Sequence, residues 1–409
     1  MINTTPAVVI GADLNGLGVV RSLARGRVPC VVVDTTRQRA AMWSRHCRKM
    51  VVDELHGRSL IDRLLALAKT LDSKPVLILA DETAVSTVSE MRDALSGAYR
   101  FHLPPRNIVA TLQNKARFHE FAEQNELRVP RTIVVRPDTP FATLSTLPFP
   151  VVVKPAEQQL AGVDDRKRPQ QAATLREAEF LCRQLLESVG ELVVQEWIDG
   201  PDSNICFALF HFGHKPENFE IFAGRKIASN PAIIGNTSLC FAAPEVMDSL
   251  EPLIAKYLDL TEFQGLGSLE FKWDPQQRRY VIIGQTVGRT DWQEEIATLS
   301  GVNLPLSAYR DEIDLPPHPA GDVIRTVAWR ESWLHRKKTP VLAPSMQVVD
   351  GYWRLNDPMP GLFHYTHAAL TNIHRQIVKP FIESSRTKRV QRAAETKYRD
   401  FVKPIFKSD

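Results

Sequence analysis

The stretch Glu191-Leu-Val-Val-Gln-Glu-Trp-Ile-Asp-Gly-Pro-Asp202 sets polar side chains at the end of an apolar run. Leu192 to Val194 read as a short buried strand, and Gly200-Pro201 as the turn that follows it. Gln195 and Glu196 lie between the two, beside Trp197 and Ile198. A strand end of this kind offers backbone N–H and C=O groups between apolar walls, which suits the edge of a flat heterocycle such as adenine. Asp202, just past the turn, stands where it could accept from ribose hydroxyls. The same residues also fit an ordinary strand and turn.

A second stretch, Phe149-Pro-Val-Val-Val-Lys-Pro155, is an apolar strand that ends in Lys154. A buried ammonium costs free energy unless it meets an anion, and phosphate is the natural candidate for a point charge of this kind. A surface strand terminus is the alternative.

The elements that must position these groups alternate between strand and helix. Ala7-Val-Val-Ile10 and Cys30-Val-Val-Val-Asp34 read as buried strands, with Val19 to Arg25 as a helix between them. A helical segment, Arg58–Leu71, and a third strand, Pro75–Ala80, continue the pattern. Alternation of this kind predicts a Rossmann-like parallel sheet with ligands at the carboxyl ends of its strands, where Asp13, Asp34 and Asp81 lie. They serve in loops and helix caps or border a substrate cleft. Gly11, Gly16 and Gly18 are not at G-x-G-x-x-G spacing, so nicotinamide dinucleotide binding, and with it a dehydrogenase, is not expected. A new region begins at Leu103-Pro-Pro-Arg106, where Asn114-Lys115 precede a helix over Ala116–Asn125.

Composition narrows the class. The chain has 409 residues, 44% hydrophobic and 24% charged, with a net charge of +4, which suits a soluble protein of two or three domains. No apolar run approaches the roughly 18 residues of a membrane span. Met1–Pro6 lack the basic and apolar regions of a signal peptide, and the five cysteines show no metal-ligand spacing. A cytoplasmic location is expected.

Taken in order, the motifs resemble the ATP-grasp superfamily. They are Asn-Lys at 114–115, Val-Lys-Pro at 153–155, Val-Gln-Glu-Trp-Ile-Asp-Gly-Pro-Asp at 194–202 and Phe-Ala-Gly-Arg-Lys at 222–226. Gly-Leu-Gly-Ser-Leu-Glu-Phe-Lys at 265–272 and Thr-Val-Gly-Arg-Thr-Asp-Trp-Gln at 286–293 complete the set. The likeness is greatest to carboxylate–amine ligase-type proteins, the group that includes D-aspartate ligase-like enzymes. It implies an α/β chain: a Rossmann-like pre-ATP-grasp domain (1–103), an ATP-grasp domain of two α+β subdomains (104–310) and a basic C-terminal extension (311–409). It also implies ATP and Mg²⁺ as cofactors, a small-molecule carboxylate and an amine as substrates, and an acyl-phosphate intermediate. By the same resemblance Lys115 and Lys154 contact phosphates, and Gln195 and Glu196 match the adenine segment. Trp197 and Ile198 would add backbone contacts, and Asp202 takes the place of the ribose-binding acid. Glu270 corresponds to a magnesium carboxylate and Arg289 to an arginine on the transferred or acyl phosphate. Arg225 and Lys226, read as a Gly-Arg-Lys turn, correspond to a further basic contact.

One position departs from the pattern. Where related sequences look like Glu-Pro-Thr-Val-Gly-Arg, this chain has Gly284-Gln-Thr-Val-Gly-Arg289. Loss of that carboxylate should weaken magnesium binding and phosphoryl transfer together. Asp291, Glu294 and Glu295 are candidate replacements. A catalytically weakened nucleotide- or partner-binding module is therefore the competing expectation. Arg166, Lys167 and Arg168 fall in a charged loop, either a lid over phosphates or a solvated turn. Trp329 to Lys338 mixes aromatic and basic residues, and Arg386 to Lys407 is rich in Lys and Arg. These suit either a solvated face or contact with an anionic partner such as a membrane surface. No nucleic-acid module accompanies them, and His364, His367 and His374 are not at ligand spacing.

Overall fold

The computed structural model describes residues 5–157, 169–318, 323–338, 340 and 342–373. The charged loop with Arg166, Lys167 and Arg168, the basic run from Arg386 to Lys407, and His374 lie outside them. Among the described residues no helix is long and apolar enough to cross a membrane.

The first sheet comprises β1 (Ala7–Ile10), β2 (Cys30–Asp34), β3 (Arg48–Val51) and β4 (Val76–Leu79), in the order β3-β2-β1-β4 and parallel throughout. β1, β2 and β4 are buried along their whole length, as expected of parallel strands covered on both faces. The glycines after β1 serve backbone packing. Gly11 has φ 99°, and a Cβ on Gly16 would overlap its carbonyl oxygen. Gly18 faces Glu294, whose Oε2 would lie 2.7 Å from a Cβ there. Asp34 accepts from the backbone N–H groups of Ala12 and Thr35, each at 2.7 Å, and Asp81 caps the next helix through the Ala84 N–H at 2.9 Å. Asp81 thus follows the capping alternative, while Asp34 braces the loop after β1. Asp13 instead pairs with Arg39 at 2.9 Å.

Small and large sheets follow. The small one contains β5 (Thr132–Val135), β6 (Val151–Pro155), β7 (Gln170–Ala172) and β8 (Leu192–Glu196), antiparallel in the order β5-β8-β6-β7. Helix Leu175–Val189 covers one face, burying Ala178, Cys182 and Leu185 against Val151, Val153, Leu192 and Val194. The large sheet is formed by β9 (Ile205–Phe212), β10 (Glu220–Asn230), β11 (Asn236–Ala242), β12 (Gly265–Asp274), β13 (Arg279–Val287), β14 (Val327–Arg330) and β15 (Gln347–Asp350). Their order is β13-β12-β9-β10-β11-β14-β15.

The last two strands change the expected organisation. Residues after 310 do not stand apart as an extension, because β14 pairs with β11 and β15 with β14. Trp329 and Arg330 are buried in β14, so this part of the aromatic and basic segment is not a docking face. Further on, buried Asp357 accepts from Arg21 Nε at 3.1 Å, Ser44 Oγ at 2.9 Å and the Arg45 N–H at 2.9 Å, which ties the C-terminal segment to the first domain. His364 stacks on Tyr352, with ring centroids 3.6 Å apart. Trp329 is exposed by only 1%. Trp329→Ala should therefore lower stability by about 3–5 kcal/mol in denaturant unfolding, as for a core aromatic, rather than leave it unchanged as for an appendage.

Candidate active site

The cleft lies between the small and large sheets, and its small-sheet wall is built around Gln195. Its register partner on β6 is Val152, which makes Lys154 a diagonal neighbour on the same face. Lys154 Nζ donates to Gln195 Oε1 at 2.8 Å. An ammonium can only donate, so the amide is fixed with its oxygen toward Lys154. The amide nitrogen then donates to His119 Nε2 at 2.8 Å and Thr132 Oγ1 at 3.1 Å. Lys115 is brought alongside by its helix, Lys115–Gln124, which Asn114 caps through the Arg117 N–H. The Lys115 N–H bonds to Ala156 O at 2.8 Å, just past the end of β6.

Two ammonium groups so close and so buried are each less willing to carry a proton. Burial, then repulsion from Lys115, pushes Lys154 down to about 8, with Glu270 acting in the opposite direction. Burial also lowers Lys115, partly offset by Glu82. His119 is pushed to about 3 by burial and then by both lysines, so it is neutral near physiological pH. Sequence reasoning missed His119. The available signal was its spacing, four residues after Lys115, which puts both on one helix face.

The segment expected to meet adenine is only partly free. The Glu196 side chain accepts from the Arg131 N–H at 3.2 Å, and the Trp197 N–H donates to Pro150 O at 3.1 Å. The Trp197 N–H is therefore committed within the protein, so a backbone contact from this residue to a base would fall to its carbonyl. Its ring packs under Lys272 Nζ at 4.7 Å, while Ile198 is buried beside it. Lys272 is lowered by burial and raised again by Asp202, then Asp199, so Asp202 stands near the cleft's large-sheet wall.

That wall carries Lys226, Glu270 and Lys272 on one face. Lys226 Nζ lies 3.3 Å from Glu270 Oε1. Gly284 is the cross-strand partner of Glu270, where a Cβ would have only Glu270 in contact, with Oε2 at 3.4 Å. The gap therefore sits where a second carboxylate would point at the first. Asp291 is on the same side, accepting from Ser268 Oγ at 3.1 Å two residues along β12. Glu294 and Glu295 are not replacements. Glu294 is buried against Ser22 and Thr298, its carboxyl pushed up to about 8 by burial and by Glu295. Glu295 pairs with Arg354 at 2.7 Å and Arg21 at 3.7 Å. Glu270 with Asp291 thus suits a magnesium ion that takes most of its oxygens from water or phosphate.

Arg225 and Lys226 do not act together. They lie within β10, not in a turn, so successive side chains leave on opposite faces. Arg225 donates to Ser203 O at 3.0 Å and pairs with Glu245 at 3.3 Å, on the face away from Glu270. Arg289 lies past the end of β13, where it pairs with Glu82 at 3.1 Å and bridges to Leu79 of the first sheet. Glu82 thereby faces both Arg289 and Lys115. It was not singled out in the sequence, although it follows a parallel strand's carboxyl end.

No family model matches the chain. It is 24% identical over 332 residues to the D-aspartate ligase of Enterococcus faecium (strain Aus0004), covering 75% of this chain and 76% of that protein. The ADP complex of purK, an N5-carboxyaminoimidazole ribonucleotide synthetase, superposes with a TM-score of 0.62 at 14% identity over 79% of this chain and 80% of that one. The biotin carboxylase domain of Hydrogenobacter thermophilus 2-oxoglutarate carboxylase, bound to MgADP, ADP and bicarbonate, gives 0.59 at 13% identity over 80% and 74%. These structural likenesses are of fold.

Titration of Lys154 gives a direct test of the cleft. A polyanion should raise its value from about 8 toward the ordinary lysine range, so nucleotide binding near pH 8 takes up protons. Calorimetry in buffers of different ionisation enthalpy should show that uptake, and affinity should fall as pH rises past 8. Lys154→Met should reduce the uptake and weaken ATP by about 10- to 100-fold, the worth of a charge-assisted hydrogen bond. Arg225→Gln should leave the affinity unchanged.

Proposed function

We propose that the chain is an ATP-grasp protein, an ATP-dependent carboxylate–amine ligase working through an acyl phosphate. The observation that carries this reading is a pair of buried, mutually repelling lysines, Lys115 and Lys154, with Lys154 and Lys226 both acting on one carboxylate, Glu270. Its relative joins D-aspartate, which suggests an amino acid as one substrate. Buried cysteines with no disulfide among them suit a reducing compartment, and we place the protein in the cytoplasm.

Phosphoryl transfer to a carboxylate depends chiefly on positioning and on neutralising charge. Lys154 and Lys115 would hold phosphate oxygens from the small-sheet side, with Gln195 and neutral His119 fixing the Lys154 ammonium. Ile198 and Asp202 would hold the nucleoside. Glu270, with Asp291, would hold Mg²⁺, which supplies charge neutralisation at the transferring group when bound. Lys226 would then be released from Glu270 to meet phosphate. Arg289, oriented by Glu82, would stabilise the acyl phosphate until the amine attacks its carbonyl and phosphate leaves.

Gly284 favours a second reading, a nucleotide-binding module with weak turnover. Hydroxylamine separates the two, because it traps acyl phosphates as hydroxamates. With ATP, Mg²⁺ and a panel of amino acids, the ligase yields a hydroxamate with one carboxylate, and Lys154→Ala abolishes it. If no carboxylate gives a product, the module reading stands instead. Gly284→Glu should in either case strengthen Mg²⁺ binding by about tenfold or more and raise ATP turnover. No change would show that the vacant position opposite Glu270 is not part of the metal site.

A further inference from the structure

Three side chains from distant parts of the chain converge away from the nucleotide cleft. His102 follows the last contact of the first sheet, His214 lies in the turn between β9 and β10, and Glu312 ends the helix Leu304–Glu312. His102 Nδ1 is 3.0 Å from His214 Nε2, and Glu312 Oε1 is 3.9 Å from the first and 3.7 Å from the second. The rings meet edge to face, at 82°, so their nitrogens converge instead of stacking past each other.

The surroundings hold these donors in place. Asp311 accepts from the His214 N–H at 2.9 Å and from the Asn218 amide, and it faces His211 at 3.8 Å. Arg100 donates to Glu312 O at 3.0 Å. The His102 and Glu312 side chains are 14% and 10% exposed, whereas His214 is 46% exposed and borders an open cleft with Gln264 and Asp314.

We propose that His102, His214 and Glu312 bind a divalent transition-metal ion of the zinc type, at a site separate from the magnesium chemistry of the nucleotide cleft. A tetrahedral ion with bonds of about 2.0–2.1 Å sets its donor atoms about 3.3 Å apart. The observed separations of 3.0, 3.7 and 3.9 Å bracket that value, so sub-ångström movement of Glu312 completes the geometry. Two imidazoles with one carboxylate select zinc-like ions over magnesium, which prefers an all-oxygen shell. The open cleft leaves a fourth position for water. An ion here fastens the exit of the first domain, a hairpin of the large sheet and the helix beneath it.

The test uses the full-length protein, stripped with a chelator and titrated with Zn²⁺ or Mg²⁺ without nucleotide. The expected result is stoichiometric Zn²⁺ binding that raises Tm, no such effect from Mg²⁺, and the visible bands of a tetrahedral site when Co²⁺ is used. His214→Ala, in an exposed turn, and Glu312→Gln should each weaken Zn²⁺ by about 10- to 100-fold, within the range for disturbed metal sites. ATP affinity should stay unchanged in His214→Ala. Zn²⁺ binding of equal strength in wild type and His214→Ala would place the ion elsewhere and overturn the proposal. Absence of Zn²⁺ binding would do the same, leaving an imidazole–imidazole hydrogen bond.

Discussion

The Lys154 ammonium at the end of a buried strand is the constraint from which the cleft is built. Its hydrogen-bond acceptor is the neutral Gln195 oxygen at 2.8 Å, so attraction from within the protein only partly offsets the cost of burial. That cost is tolerable because the group can lower its own affinity for a proton, and because an anion entering the cleft restores it. Lys115 leans on Glu82, Lys226 on Glu270, and Arg289 again on Glu82, so each of these cations has an acidic partner within the protein. Lys154 differs from them in resting on a neutral one.

Much of this was legible in the chain because it was written in local signals. Apolar runs ending in a polar residue gave the strands bearing Lys154 and Gln195, and Asn114 announced the helix that carries Lys115. The Rossmann-like opening followed from alternating apolar and helical segments. The aspartates at its strand ends were ambiguous, since a short acid after a strand suits a cap as well as a ligand. Geometry decided for the cap at Asp81 and for a loop brace at Asp34.

What was not legible depended on which side of a strand a residue faces and on what lies across from it. Arg225 and Lys226 are adjacent in sequence yet leave β10 on opposite faces, so one secures Ser203 and Glu245 while the other meets Glu270. Glu294 and Glu295 looked like spare carboxylates, but contacts with Ser22, Arg21 and Arg354 consume them. Those partners are more than 50 residues away along the chain, beyond the reach of any periodicity. The same is true of β14 and β15, four-residue strands whose place in the large sheet depends on pairing with β11.

Asp357, locked to Arg21, Ser44 and Arg45, fastens the chain that follows the large sheet's last strand to the first domain. The small sheet hangs from the rest by two stems, one leaving after Glu126 at φ 53° and the other returning through Gly200 at φ 119°. Lys154 and Gln195 therefore sit on a lobe that is joined covalently to the rest of the chain at two points only, while Glu270 and Lys226, which face them, belong to the other side.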